Sequence, residues 1–238
     1  MEPREVDERR HQPGEGPWWR ESWSFSFADG AGLGGYTELT LFPAQNRSWY
    51  RCVLARLDQP LLVIEDLGAP LPRQDLELKS EGLWADHICE APMRQWTVAN
   101  EAYAVALDDA EEAIGRGYGV PTPVAFDLEW YATGRADAPA DAPADAPVDA
   151  PVEPLADGYR QSGEVHAVIE LPGGPLSFVA RAWRDHRWGP FVLPDIVEID
   201  ADANEAAPAQ RVPWRLPSPF DAVVEDVLTS DGWHRHRR

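Results

Sequence analysis

The chain has 238 residues, 44% of them hydrophobic, with 11 Trp, 23 Pro and 18 Gly and a formal net charge of −20. That length can bury a real core without disulfide or metal, and the Pro and Gly content tilts the fold toward strands and turns. The negative charge disfavours nucleic acid, whose binding rests on Lys and Arg neutralising phosphates, and charges interrupt every apolar run well short of the roughly 20 residues that a membrane span needs.

Residues 1–16 are charged, rich in Gly and Pro and without periodicity, which predicts a disordered or loosely attached segment. They lack the apolar run of a secretory signal, so the expected location is cytoplasmic. From Trp18 to Phe27 the sequence WWRESWSFSF alternates: Trp19, Glu21, Trp23, Phe25 and Phe27 share one face, as a half-buried strand requires. A turn-rich ADGAGLGG leads into YTELTLF, and further strands are predicted at 48–57, 61–67 and 83–90. The segment 95–107 suits a helix or a strand, with Thr97, Val98, Tyr103 and Val105 favouring strand. DDAEEAIGR at 108–116 signals a short helical turn, and 124–131 returns to strand. Cys52 and Cys89 fall in separate strand-like segments and read as free thiols.

Residues 135–154 carry a tetrapeptide repeat of Asp, Ala and Pro, which removes backbone donors and favours extended conformations, so it reads as a linker or surface loop. It is taken as the boundary between an N-terminal β lobe at 17–134 and a C-terminal one at 155–238. Beyond it, strands at 164–171 and from 175 toward 184 flank the turn PGG. Possible strands follow at 191–199 and 212–216, with a short amphipathic segment at 220–228. The basic tail WHRHRR reads as a frayed, solvated end or as a contact for an acidic surface, including this chain's own.

Three segments, WWRESWSFSF, GLWADHICEAPMRQWTV and YRQSGEVHAVIEL followed by ARAWRDHRWGP, carry a family resemblance. Together they resemble the carotenoid 1,2-hydratase (hydroxyneurosporene synthase) and lipocalin-like superfamily over roughly 17–190. The most specific part is Gln161, Gly163, Arg184, Asp185, His186, Trp188 and Gly189. The resemblance implies an all-β fold of two lipocalin-like antiparallel barrel or sandwich lobes, the second shortened. It also implies a greasy cavity with a few polar groups and no redox cofactor. Relatives of this kind add water to isoprenoid double bonds or cyclise secondary metabolites.

Such chemistry needs a carboxyl held in an apolar pocket and aromatic walls that stabilise developing positive charge. Glu21, set among Trp19 and Trp23, fits a general acid, with a Glu paired to an Arg across the sheet as the structural alternative. In the strand ending RDHRWG, alternation places Arg184, His186 and Trp188 on one face and Asp185 on the other. His186 is the cavity candidate, and Asp185 is either catalytic or an ion-pair anchor between lobes. In LWADHICE, Trp84 and Asp86 share a face opposite His87 and Cys89, and Asp86 is a second candidate acid. The expected catalytic set is therefore Glu21, Asp86, Asp185 and His186, with Trp19, Trp23, Trp84 and Trp188 as ligand-binding walls. No metal or cofactor is expected, since the body of the chain has no His spacing suited to a metal and no phosphate loop. Two functions remain open: a cofactor-independent lyase or isomerase acting on an apolar unsaturated small molecule, and a non-catalytic lipocalin-like binding protein for a hydrophobic ligand.

Overall fold

A computed structural model describes residues 3–73, 75–114, 119–137, 157–191, 193, 210–229 and 232–238. Its strands are β1 (Trp19–Ala28), β2 (Gly34–Phe42), β3 (Arg47–Ala55), β4 (Leu61–Pro70), β5 (Leu78–Ser80), β6 (Leu83–Ala91), β7 (Gln95–Leu107), β8 (Val120–Asp137), β9 (Asp157–Glu170), β10 (Leu176–Pro190), β11 (Arg211–Arg215), β12 (Val223–Thr229) and β13 (Gly232–Arg237). The protein is all-β, as its sequence predicts. Ten strands form one antiparallel sheet in the order β4-β3-β2-β1-β10-β9-β8-β7-β6-β5. The end of β7 also pairs with the start of β4, Leu61 opposite Leu107 through Val63 opposite Val105, and this closes eight strands into a barrel. The β5–β6 hairpin continues from the other part of β7 and touches β4 through Ser80, whose Oγ donates to Asp66 at 2.5 Å.

Alternation builds the interior. Trp19, Glu21, Trp23, Phe25 and Phe27 of β1 all point inward, and β6 sends Leu83, Ala85 and His87 inward while Trp84 and Asp86 face outward. The segment 95–107 is strand over its whole length, because its residues complete ladders on both sides. The barrel is filled by its own side chains. Apolar cavities of about 20 and 10 Å³ lie among residues such as Phe27, Leu54, Phe126 and Leu128, and neither holds more than about one water. Both cysteines are free, and burial pushes the Cys52 thiol up to about 12, so it packs as an unreactive hydrophobe.

The ladder crosses the boundary expected between two lobes. β8 pairs with β9 and β1 with β10, so residues before and after the Asp/Ala/Pro segment share one sheet. Pairing between strands distant in sequence decides this, and local composition carries no trace of it. Residues 135–137 are the end of β8, and the remainder of the repeat, 138–154, lies outside the described residues. Most of the strand expected at 191–199 lies outside them as well.

The tail is a second sheet, ordered β11-β12-β13, against the outside of the barrel. Residues 220–228, read as amphipathic, run mostly as β12, and the WHRHRR end is paired as β13 instead of frayed. Buried charges tie the two sheets together. Arg51 Nε donates to Tyr36 Oη at 2.6 Å and Arg51 also pairs with Glu65, while Tyr36 donates to Asp226. Arg235 Nε donates to Asp226 at 2.7 Å and pairs with Glu38 at 2.9 Å, and the indole of Trp214 lies within 4.5 and 4.7 Å of the Arg51 and Arg235 guanidinium carbons.

Candidate functional site

Residues 3–16 are placed as a strap across one end of the barrel, contrary to the disorder that their composition predicts. Glu5–Glu8 form a 3-10 turn, and from residue 3 to residue 17 only Glu8 is buried, while Val6 is 54% exposed. The strap therefore buries a charge and no large apolar side chain. The Glu8 carboxylate accepts from Arg184 Nη1 at 2.5 Å, Arg184 Nη2 at 2.7 Å, Trp96 Nε1 at 3.1 Å and the Met93 backbone N–H at 2.9 Å. Arg184 is 0% exposed, and its guanidinium carbon lies 5.0 to 5.4 Å from the rings of Trp130, Tyr159 and Trp96. Gln161 Oε1 accepts from Arg184 Nη2 at 2.8 Å, and its Nε2 donates to the carbonyls of Met93 and Gly134 at 3.0 Å. A Cβ on Gly163 would meet the Trp130 ring at 2.4 Å, so glycine there lets Trp130 lie against β9. Arg184, Gln161 and Gly163 thus assemble a single buried cation site.

One layer outward, three groups converge on Glu21, which is 1% exposed. His186 Nε2 lies 2.9 Å and His11 Nδ1 2.7 Å from Glu21 Oε1, and the His11 backbone N–H donates to both carboxylate oxygens at 3.1 and 3.0 Å. The register that sets Glu21 opposite Trp188 and Trp23 opposite His186 brings β1 and β10 to this point. Burial pushes the Glu21 carboxyl up, but the hydrogen bonds from the His11 and His186 rings and from the His11 backbone outweigh it and leave its pKa lowered. Burial likewise pulls His186 down despite its bond to Glu21, so the ring is neutral. With Glu21 ionised, the facing nitrogens of both rings donate, and His186 Nδ1 is left to accept from the Tyr159 hydroxyl at 3.2 Å. Tyr159, its pKa raised by burial, also packs its ring 5.1 Å from the Arg184 guanidinium carbon, and so joins the two clusters.

Aromatic rings enclose the cluster. Trp23 stacks on His186 with centroids 4.6 Å apart, and Trp188 stacks on His11 at 3.8 Å. Trp19 is buried on the same strand face beside Gly14 of the strap. Glu21, His186, Trp23 and Trp188 are thus brought together. Asp86 and Trp84 are not: both face away from the barrel interior, where Trp84 Nε1 donates to Glu77 at 3.1 Å and burial beside Glu77 and Asp75 raises the Asp86 carboxyl. Asp185 faces the opposite side from His186, 3.9 Å from Arg160 and 3.5 Å from Arg187, in a partly exposed group and not as a buried anchor. The lowered pKa of Glu21 favours the carboxylate over the protonated form that a general acid requires. Sequence reasoning missed Glu8, His11 and Tyr159, whose partners lie far along the chain.

His11 Nδ1, Glu21 Oε1 and His186 Nε2 all lie within 4.8 Å of one another, a donor set of two imidazoles and a carboxylate that suits a divalent ion. Their mutual hydrogen bonds satisfy the same atoms. Among the described residues, no helix is long and apolar enough to cross a membrane.

A closed antiparallel barrel with a buried carboxylate and imidazole under an N-terminal strap defines the class of this protein. The chain belongs to the family of the domain of unknown function DUF7064, whose model matches residues 4–194, from the strap to just beyond the last barrel strand. No curated protein and no solved structure matches the chain.

Proposed function

We propose that this protein is a cofactor-independent lyase or isomerase that moves a proton on an apolar, unsaturated small molecule at the strap end of the barrel. The observation that carries the reading is the buried Glu21 carboxylate, hydrogen-bonded to His186 and walled by Trp23 and Trp188. In its isomerase form, Glu21 takes a proton from the carbon beside a double bond. The released electron pair forms the new double bond, and the carboxylic acid so made returns the proton at the far end of the old one. In its lyase form the same acid protonates a departing hydroxyl. Tyr159 and the neutral His186 hold the carboxylate in place through one hydrogen-bonded chain.

The strap tunes this base. With His11 seated, its ring and backbone hydrogen bonds keep the carboxyl pKa low. When the strap lifts, these two lowering contributions are lost and those of His186 remain. Substrate room also comes from the strap, since the two barrel cavities described above take no more than about one water each. The test is proton exchange in D2O with geraniol and geranic acid as probes, read by mass spectrometry. The parent is expected to incorporate deuterium and Glu21→Gln to lose it. No exchange by the parent, or equal exchange by both, sinks the reading. Binding without exchange favours the alternative, a non-catalytic lipocalin-like carrier of a hydrophobic ligand that uses the same aromatic walls.

A further inference from the structure

We infer that the Arg184 pocket is a receptor for the carboxylate group of a small organic acid, and that Glu8 occupies it as the protein's own stand-in ligand. The inference rests on the reading above for the position of the site, not for any reaction there, and it narrows the ligand to an apolar molecule ending in a carboxylate.

The pocket is complete without the strap. Two Arg184 nitrogens, the Trp96 indole N–H and the Met93 backbone N–H converge on one carboxylate, and all belong to the barrel. Gln161 and three aromatic rings hold the guanidinium in place. A planar guanidinium with parallel donors matches a carboxylate better than any neutral group does. It is also 0% exposed, so an anion must sit there, because a buried charge without a partner is costly.

Besides the Glu8 carboxylate, the strap adds the His11 contacts to Glu21, an Arg10 Nη1 bond to the Pro72 carbonyl at 3.0 Å and the stacking of His11 on Trp188 at 3.8 Å, and it buries no large apolar side chain of its own. Burial of large apolar side chains of its own does not hold it down. A ligand that presents a carboxylate and an apolar body makes the same charge-assisted bonds and also sets hydrocarbon against Trp188 in place of the His11 ring. The Tyr159 ring lies 5.1 Å from the Arg184 guanidinium carbon and its hydroxyl 3.2 Å from His186 Nδ1, so a carboxylate on Arg184 would set the adjoining carbons toward the Glu21 cluster.

Two measurements on the full chain test this. Glu8→Ala removes the carboxylate that the strap supplies to Arg184, so its lowered melting temperature is expected to rise with added propionate but not with propionamide, and the parent is expected to show no such difference. The parent is then titrated with cis-parinaric acid and with its methyl ester. The acid is expected to bind at least about tenfold more tightly, the scale of one charge-assisted hydrogen bond, and to speed tryptic cleavage after Arg9 and Arg10 as the strap is released. Equal responses of variant and parent to propionate, or equal binding of acid and ester, overturn the inference. Should Glu8→Ala fail to fold, the acid and ester titration of the parent decides alone. Because no turnover is read, these results stand apart from the deuterium exchange test.

Discussion

Glu8 and Arg184, 176 residues apart in sequence, meet in a two-pronged ion pair that closes the end of the barrel, at 2.5 and 2.7 Å. Both side chains are almost wholly removed from water. Removing one partner leaves the other charge buried alone, so Glu8→Gln is expected to lower stability by about 3–5 kcal/mol in urea denaturation. Replacing both, as Glu8→Leu with Arg184→Met, should recover most of that loss. A Glu8→Gln variant as stable as the parent would show that water reaches the guanidinium freely.

Burial lowers the pKa of His87 to about 3, and neither ring nitrogen has a hydrogen-bond partner. Between that value and the ordinary 6.5, the unfolded chain binds a proton that the folded chain does not. Stability therefore rises with pH across this window and falls on acidification, by up to about 1.4 kcal/mol per pH unit for this group. His186, also lowered by burial, acts in the same direction. Glu21, its pKa lowered, contributes stability above its ordinary 4.5 that is lost as pH falls through its folded value. His87→Leu should gain on the parent steadily as pH drops from 6.5 to 5. Parallel stability curves for the two proteins would refute the assignment of His87 as a neutral core residue.

Asp185→Asn is expected to cost no more than about 1 kcal/mol, the scale of partly exposed ion pairs, because Arg160 and Arg187 stay in contact with solvent. Chemical denaturation separates this from the much larger loss that a buried anchor would show.

Gly163→Ala places a methyl group within 2.4 Å of the Trp130 ring, a rigid neighbour flanked by the Arg184 guanidinium. A loss of about 1–3 kcal/mol is expected from overpacking, together with a changed near-ultraviolet circular dichroism signal as Trp130 shifts. An unaltered spectrum at full stability would mean that β9 moves aside.

Asp226 accepts from both Tyr36 and Arg235 and stands 3.7 Å from Arg51, so it neutralises charges from the barrel and the tail at once. Asp226→Asn should destabilise the chain by several kcal/mol. It should also expose the tail first, seen as faster amide exchange in β11–β13 than in β8–β10.

What the sequence determined is whatever strand geometry makes local. The period of two along a strand put Glu21 with Trp19 and Trp23, set His186 and Trp188 on the face opposite Asp185, and turned Asp86 away from His87, and all of these hold in the structure. The all-β class followed from the same alternation repeated between turns, while a barrel or sandwich was only what the family resemblance implied. What it could not carry is partner identity. Whether β10 lies beside β1, whether the Asp/Ala/Pro segment divides lobes or joins neighbours, and whether a charged N-terminus is loose or seated are all settled by register between strands more than a hundred residues apart. Glu8 shows the limit most plainly: in sequence it is one acid in a polar run, and only the buried guanidinium of Arg184, brought to the barrel end by β10, gives that acid a reason to be ordered.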